Sequence, residues 1–322
     1  MKTFFATLTL LICASIFGLS QGVSDVGNLW HVISHPFAQD EISRQIIWEI
    51  RGVRVLAALL VGAALGAAGT LAQAATNNPL ADPAILGTSA GAALGVLLGV
   101  AFRITEVGSI SALIFALVGA LLITSLVFSL SHSALSLITI GIGVAAIVSS
   151  IVGIAISALN RPDARSISFW SLGSLALVNL RDLVIIAIVT VIAIYLSWRI
   201  APSLDFLSLG DAEVRHFGLN PQRIRYLAFA LLSLLVASTV SVVGTISFLA
   251  LAAPHIARFL SGPRNRSVIV NSALIGALIL VLADTAARSL FPPFELPIGL
   301  LTALIGAPIL IVTLMRGKNV WR

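Results

Sequence analysis

The stretch RGVRVLAALLVGAALGAAGTLAQAATNNPLADPAILGTSAGAALG, residues 51–95, decides the fold class of this chain. No charged side chain occurs between Arg54 and Asp82. A helix needs roughly 20 predominantly apolar residues to cross a bilayer, whereas a membrane-spanning strand would alternate apolar and polar residues. The run is continuous, so it predicts a spanning helix over residues 52–75 that ends before the Asn78-Pro79 pair.

The composition extends this interpretation to the whole chain. Of 322 residues, 58% are hydrophobic and 10% are charged, and the mean hydropathy is +1.07. Soluble domains carry about 25% charged residues. We therefore expect an all-α polytopic membrane protein with one transmembrane domain over residues 1–322. The lone Cys13 supports neither a disulfide nor a cysteine metal site, and the scattered arginines argue against a nucleic-acid partner.

Charges and Pro/Gly clusters divide the apolar sequence into about ten predicted helices. They cover 3–20, 52–75, 84–102, 109–129, 135–158, 182–200, 225–243, 246–261, 268–289 and 297–315. The first run resembles a secretory signal, but it is long and no A-x-A site follows it, which favours a retained helix. Residues 23–50, with Trp30, His31 and His35, are expected to form an external amphipathic segment.

The basic residues of the short loops predict the orientation. With the N-terminus inside, most loop arginines lie on the cytoplasmic side and most acidic residues lie outside, as the positive-inside rule requires. The basic residues that remain on the outer face are Arg51, Arg54, Arg161, Arg165 and Arg288. These exceptions require a specific explanation.

A repeated spacing suggests an internal duplication. Gly69-Thr70 precedes Pro79 by the same interval as Gly244-Thr245 precedes Pro254, and the two copies enter the predicted membrane from opposite sides. Many transporters are built from inverted repeats. We therefore expect an inverted repeat in this chain.

The segment Gly87 to Gly91, GTSAG, matches the G-x-S-x-G motif of serine hydrolases. That motif works on a strand-to-helix turn with a base in reach, so one alternative is an intramembrane protease with His132 or His255 as base. The glycines, however, continue every fourth residue through Gly95 and Gly99. This spacing favours close helix packing instead.

Other motifs limit the chemistry of the chain. It has no G-x-x-x-x-G-K-[ST] loop for ATP phosphates, so an ATPase would have to be another polypeptide. The histidines show no metal-binding spacing apart from the His31 and His35 pair, and we expect no bound metal. An ion-coupled secondary carrier remains a second alternative, with Asp284 and its i, i+4 neighbour Arg288 as the intramembrane charges.

The segment LGDAEVRHFGLNPQRIR, residues 209–225, gathers charged residues between two apolar helices. Ser208 and Asp211 fit a capping box for a first short helix, and Gly218 fits its left-handed C-terminus. Asn220 and Pro221 fit the start of a second. We expect two short cytoplasmic helices within residues 203–225, with Val214 and Phe217 entering a groove of another protein.

These segments resemble the FecCD family, the membrane-spanning subunits of ATP-driven importers for iron-siderophore, haem and cobalamin. The resemblance rests on residues 51–95, on residues 209–225, and on the C-terminal segments APHIARFLSGPRNR (253–266), ADTAAR (283–288) and ELPIGLLTALIGAP (295–308). The chain departs from the usual family pattern at Gly244-Thr245. The resemblance implies a type II importer permease fold with ten helices in the bacterial inner membrane.

The resemblance also implies partners and roles. They are a second permease subunit, identical or paralogous, two cytoplasmic ATPases that use the ATP, and an extracytoplasmic binding protein that docks on Arg51, Arg54 and Arg288. The expected coupling residues are Gly210, Asp211, Ala212, Glu213, Val214, Arg215, Phe217 and Gly218. The expected packing or pathway residues are Asn78, Pro79, Gly87, Gly91, Gly95, Pro254, His255, Gly299 and Gly306.

The expected function is therefore transport and not catalysis. The cargo is an iron complex, with a ferric siderophore as the first choice and haem or cobalamin as the alternatives. No cofactor is expected to bind to this chain.

Overall fold

The computed structural model describes residues 2–22, 41–131, 134–158, 167–176, 178–291 and 294–316. The helices in these ranges are α1 (Lys2–Ser20), α2 (Gly52–Thr76), α3 (Thr88–Ala101), α4 (Ile110–Leu130), α5 (Ala134–Ser157), α6 (Leu180–Leu207), α7 (Asp211–His216), α8 (Pro221–Val243), α9 (Leu249–Ser261), α10 (Asn265–Ser289) and α11 (Ile298–Arg316). A short helix, Glu41–Arg44, and a π-helical segment, Gln45–Arg51, lead directly into α2. No strand occurs in the described ranges, so the all-α prediction is confirmed there.

Seven of the described helices are long and apolar enough to cross a membrane: α1, α4, α5, α6, α8, α10 and the continuous helix over Ile42–Thr76. Three shorter apolar stretches are α3, α9 and Ile298–Pro308 of α11. The predicted external segment lies mostly outside the described residues, and its described part, 41–50, is the helical lead into α2.

Three helices, α2, α8 and α10, form the centre of the molecule. Between 72% and 78% of the residues in their apolar windows are buried, against 17% to 28% for α1, α4, α5 and α6. A helix that is apolar on all sides is expected to be buried when its neighbours are also helices. The peripheral helices keep apolar side chains on their outer faces, as contact with lipid requires.

Glycines allow α2 and α10 to approach closely. A side chain at Gly62 would collide with the backbone at Gly276, and one at Gly276 would collide with the carbonyl of Gly62. One turn further along, Gly66 lies against the carbonyl of Ser272, whose hydroxyl makes a 2.7 Å hydrogen bond to Thr70. Small residues at a crossing bring two helix backbones into van der Waals contact, so α2 and α10 pack as a tight pair.

A second glycine crossing joins α3 to α4. A side chain at Gly91 would lie 2.5 Å from the carbonyl oxygen of Gly119, and Gly95 lies against the carbonyl of Phe115. Gly87 differs from these two, because it precedes α3 with a left-handed φ of 76°. Its role is to start the helix, since a side chain there would be strained.

Several predicted helix boundaries were wrong on the side where α6 and α8 meet. The structure extends α6 from the predicted end at 200 to Leu207, and α8 begins at Pro221 instead of 225. Hydropathy reports the part of a helix that contacts lipid, whereas Leu204 and Leu207 continue α6 because both are buried against the rest of the protein.

The two copies of the Gly-Thr motif lie in different local structures. Gly69-Thr70 is inside α2, whereas Gly244 follows the last residue of α8 with a φ of 73°. Phe248, with a φ of 63°, completes a bend before α9. This motif therefore does not mark equivalent positions in the two halves, because one copy continues a helix and the other ends one.

Candidate functional site

Three arginines predicted on the outer face form one cluster with two acidic residues. We call Arg51, Arg54, Asp284, Arg288 and Glu295 the outer arginine cluster. Arg54 donates to Asp284 Oδ1 from Nη2 at 2.8 Å and from Nε at 3.2 Å, and it donates to Glu295 Oε1 from Nη1 at 2.8 Å. Arg288 Nε lies 3.3 Å from Asp284 Oδ2. The cluster thus ties α2 to α10 and to the connection before α11.

The other contacts of this cluster reach the end of α1. Arg51 Nη1 donates to the carbonyls of Leu19 and Ser20, both at 3.0 Å. Arg288 donates to the carbonyl of Gln21 at 2.9 Å and to that of Gly18. The last carbonyls of a helix lack partners within the helix and carry partial negative charge. The two guanidinium groups therefore cap α1, Arg288 from α10 and Arg51 from the segment that leads into α2.

These contacts bury the side chains of the three arginines, which the sequence predicted to be available to a binding protein. Arg51, Arg54 and Arg288 are each less than a tenth exposed, because their guanidinium groups face α1, Asp284 and Glu295. Docking of a binding protein on them stays a prediction, and in this structure only Glu295 of the cluster has a substantially exposed side chain, at 39%. The sequence suggested the Asp284–Arg288 pair from its spacing, but it contained no signal for the contact with α1.

The connection between α6 and α8, residues 208–220, is a hydrogen-bonded turn built around α7. The N–H of Gly218 bonds to the carbonyl of Arg215 and the N–H of Leu219 bonds to that of Val214, while Gly218 has a φ of 75°. These two bonds form the Schellman motif that closes a helix. Asn220 Oδ1 then accepts from the N–H of Arg223 at 3.1 Å and caps α8, with Pro221 in its first turn.

Three details of the predicted segment need correction. Ser208 is no cap for α7, because its hydroxyl donates to the carbonyl of Asp205 at the end of α6. The expected second short helix is the first turn of α8 itself. Val214 cannot enter a partner's groove because its side chain is fully buried.

The exposed apolar surface of the connection is formed by other residues. Leu209 is 54% exposed and Phe217 is 61% exposed. Phe217 packs against Phe206 of α6, with ring centroids 5.3 Å apart. Val214 anchors α7 because its side chain is fully buried, and the contact with Phe206 positions Phe217 on the surface.

Polar contacts join this connection to the ends of three other helices. Arg225 of α8 forms a two-pronged ion pair with Asp211, at 2.9 and 2.6 Å, and its Nε donates to the carbonyl of Ala75 in α2 at 3.2 Å. Asn77, after α2, donates to the carbonyl of Leu207 at 2.6 Å. The pKa of Asp211 is lowered, chiefly by its hydrogen bonds to Arg225.

A cavity of about 590 Å³ lies beside these contacts, between the ends of α2, α6, α9 and α10. Asn78 and Pro79 line it, with Asn78 Oδ1 accepting from the N–H of Leu80 at 2.9 Å. Arg258 also lines it and donates to Asn265 Oδ1 at 3.3 Å. Asp205 of α6 lines it as well and accepts from the N–H of Asn265 at 2.9 Å.

The remaining predicted positions lie in packed regions of the chain. Pro254 and His255 are within α9, where Pro254 is buried and His255 is partly exposed. Gly299 and Gly306 belong to α11 and lie against the bend after α8: a side chain at Gly299 would meet the carbonyl of Thr245, as well as that of Leu172, and one at Gly306 would meet the side chain of Phe248.

The structure also bears on the two alternative functions, an intramembrane protease and an ion-coupled secondary carrier. Ser89 lies in the first turn of α3 and is preceded by turns instead of a strand, so the geometry required for a hydrolase nucleophile is not met. Asp284 is buried between Arg54 and Arg288, which leaves its charge already compensated. Among the described residues, no group of His, Cys, Asp and Glu side chains could hold a metal ion.

The sequence is similar to several transport proteins of bacteria. It is 35% identical over 309 residues to the iron(3+)-hydroxamate import system permease protein FhuB of Bacillus subtilis, covering 94% of this chain and 80% of that protein. It is 36% identical over 281 residues to the hemin transport system permease protein HmuU of Yersinia pestis, covering 85% and 84%. It is 33% identical over 300 residues to the vitamin B12 import system permease protein BtuC of Vibrio cholerae, covering 91% and 89%.

The fold has a solved counterpart. A structure described as an inward-facing conformation of a transporter assigned to the metal-chelate ABC type superposes with a TM-score of 0.85 at 30% identity, covering 98% of this chain and 99% of that one. The sequence profile of the FecCD transport family matches residues 7–316. Together with the seven long apolar helices, these similarities identify a multi-pass permease protein of the bacterial inner membrane that belongs to the FecCD transport family.

Proposed function

We propose that this chain is the membrane-spanning permease subunit of an ATP-driven importer that carries an iron complex into the cell. The observation that carries the proposal is the α6–α8 connection. It presents Leu209 and Phe217 just before and just after a short helix, α7, that is closed by a Schellman motif and anchored by the buried Val214. Exposed apolar side chains on a rigid base are typical of a surface that binds another protein.

The partner at this connection is proposed to be a separate ATPase. The sequence has no P-loop, so ATP hydrolysis requires another polypeptide, and the named relatives are permease proteins of import systems. Two such ATPases would serve two permease subunits, with the second subunit identical or paralogous. The chain itself is proposed to bind no cofactor and to catalyse no reaction.

We further propose ten spans arranged as an inverted repeat. The seven long apolar helices and the three shorter apolar stretches together supply ten segments. The succession of helix lengths supports the repeat: α2 to α5 have 25, 14, 21 and 24 residues, and α8 to α11 have 23, 13, 25 and 19. In both halves a long helix is followed by a short one.

On the opposite face, we propose that an acidic binding protein docks over the outer arginine cluster. Because Arg51 and Arg288 are bound to carbonyls at the end of α1, carboxylates of the binding protein would have to replace those carbonyls. Charge complementarity of this kind acts mainly on the association rate and on the register of docking. Binding of the purified binding protein should therefore weaken as the salt concentration rises.

The proposed cargo is a ferric siderophore, with haem and cobalamin as alternatives. Two of the three relatives described above are named for iron complexes, an iron(3+)-hydroxamate and hemin. The sequence identities of the three relatives to this chain, 35%, 36% and 33%, are too similar to select one cargo. Capture of the cognate binding protein, followed by competition among ferric hydroxamate, hemin and cobalamin, identifies the cargo directly.

The test of the ATPase proposal is a double substitution, Leu209→Asp with Phe217→Asp. It places charge on the exposed surface of the connection and leaves the buried Val214 in place. We expect the ATPase to be lost from the purified complex and uptake to stop, while the chain itself stays folded. The matched control is Phe102→Asp with Ile104→Asp, which puts the same two charges on apolar residues after α3 that are 72% and 61% exposed. Equal recovery of ATPase with both variants would refute the proposal.

A further inference from the structure

The side chain of Arg225, in α8, contacts two other helices, α7 and α2. Its Nη1 and Nη2 atoms bind the carboxylate of Asp211, the first residue of α7, and its Nε donates to the carbonyl of Ala75 in the last turn of α2. Each of the three guanidinium nitrogens therefore donates one hydrogen bond. A planar guanidinium fixes such contacts in one geometry, which the single nitrogen of a lysine cannot reproduce.

The contact with Ala75 also contributes to the capping of α2 at its C-terminal end. The last four carbonyls of a helix have no partner within it, and a cation near them is favourable. The N–H groups of Asn77 and Asn78 satisfy the carbonyls of Ala74 and Gln73, while Arg225 satisfies the carbonyl of Ala75. The end of α2 is thus bound to α8 by Arg225, and to α6 by the bond from Asn77 to Leu207.

The opposite end of α2 carries Arg54, which is paired with Asp284 of α10. With 25 residues at 1.5 Å each, α2 is about 37 Å long and spans the membrane. The glycine crossing at Gly62, Gly66 and Gly276 packs α2 against α10 along its middle. A displacement at the Ala75 end would therefore reach the outer arginine cluster through closely packed backbones instead of flexible side chains.

We propose that Arg225 is the positioning residue that joins α7 to α2, so that movement of α7 displaces the α2–α10 pair and, with it, the outer arginine cluster. This inference rests on the proposed function, in which an ATPase binds Leu209 and Phe217. It goes further because it names the contact through which movement of α7 would reach α2. Arg225 has a 19% exposed side chain and does not belong to the apolar surface that the ATPase would bind.

The test uses the complete transporter, purified with its ATPase and binding protein and reconstituted into liposomes. For Arg225→Ala we expect normal recovery of the ATPase and continued ATP hydrolysis. We expect uptake per ATP to fall at least tenfold, and stimulation of hydrolysis by the binding protein to disappear. Arg199→Ala, which removes an exposed arginine from α6, serves as the control and should keep the normal ratio.

Two further variants separate the two contacts of Arg225. Asp211→Ala frees α7 but leaves the bond to Ala75, and we expect the same loss of uptake per ATP. The exchange of Asp211→Arg with Arg225→Asp restores an ion pair, but an aspartate cannot donate to the Ala75 carbonyl, so coupling should stay low. Full recovery in the exchanged protein would overturn the inference, because anchoring of α7 alone would then suffice.

The outcomes also distinguish this inference from the proposed function. If the unaltered chain imports its cargo without any ATPase, the proposed function fails and the role of Arg225 fails with it. If the unaltered transporter works and Arg225→Ala keeps normal uptake per ATP, only the inference fails. Loss of the ATPase from the Arg225→Ala complex would also overturn it, because Arg225 would then belong to the binding surface.

Discussion

At the scale of single residues, Asp284 is the member of the outer arginine cluster whose substitution should lower stability most. It is buried and accepts hydrogen bonds from Arg54 while pairing with Arg288. Breaking a buried pair leaves an uncompensated charge, which costs about 3–5 kcal/mol. We expect Asp284→Asn to lower the thermal unfolding midpoint strongly, with Glu295→Gln as a control of smaller effect because Glu295 is partly exposed. Similar midpoints for the two variants would contradict this assignment.

Asp82 predicts a dependence of stability on pH. It lies between α2 and α3, its Oδ1 accepts from the N–H of Ala84 at 2.7 Å, and within the described residues its Oδ2 has no hydrogen-bond partner. Burial raises the pKa of this carboxyl to about 6. Its pKa in an unfolded chain is about 3.9, so between these values the folded protein binds more protons than the unfolded one.

The sign of the effect follows from this difference. Stability falls with rising pH wherever the folded state binds more protons, so the contribution of Asp82 should be lost between about pH 4 and pH 6 and stay constant above that range. Two pKa units correspond to roughly 3 kcal/mol. Thermal unfolding across this range should show the decline, and Asp82→Asn should abolish it. Asp211→Asn is the control, because the pKa of Asp211 is lowered. A decline that persists in Asp82→Asn would assign it to another group.

Residue by residue, the sequence predicted local pairs better than distant ones. The spacing of Asp284 and Arg288 indicated their pairing, and Asn220 with Pro221 indicated the start of a helix. The contact between Arg54 and Asp284 joins positions 230 residues apart, and no local pattern reports such a separation. The burial of Val214 was missed for a related reason: a short amphipathic helix shows which side chains share a face, but not which face is covered.

At the scale of elements, the crossing of α3 and α4 depends on small residues. We expect Gly91→Leu or Gly95→Leu to disrupt folding, because a side chain at either position meets the backbone of α4. Gly153→Leu is the matched control, since nothing lies within 4 Å of a side chain added there. Ser89→Ala should keep transport. Normal folding of Gly95→Leu, or labelling of Ser89 by a fluorophosphonate probe, would contradict this interpretation.

The helices were predictable to different extents. The apolar cores of α2, α4 and α5 were evident because their continuous runs match the thickness of a bilayer. The end of α6 and the start of α8 were misplaced, because these turns extend beyond the lipid and are held by buried side chains such as Leu207. The α1–α10 contact also could not be read from hydropathy, since the apolar run of each helix shows that it can cross a membrane but not which helix it packs against.

At the scale of the whole molecule, two faces are connected by one pair of helices. The exposed residues of the α6–α8 connection lie at one end of the α2–α10 pair, and the outer arginine cluster lies at the other. Sequence motifs indicated both faces separately. Their connection through Arg225, Ala75 and the glycine crossing became evident only in three dimensions, because α2 contacts α8 and α10, which are both distant from it in sequence.

The most direct test of the central claim is uptake of a radiolabelled ferric complex into liposomes that contain this chain, its ATPase and its binding protein. The account predicts that uptake requires ATP inside the liposomes and the binding protein outside, and that it continues after ionophores have collapsed all ion gradients. Uptake that proceeds without the ATPase and stops when an ion gradient is collapsed would contradict it, and would identify an ion-coupled carrier instead.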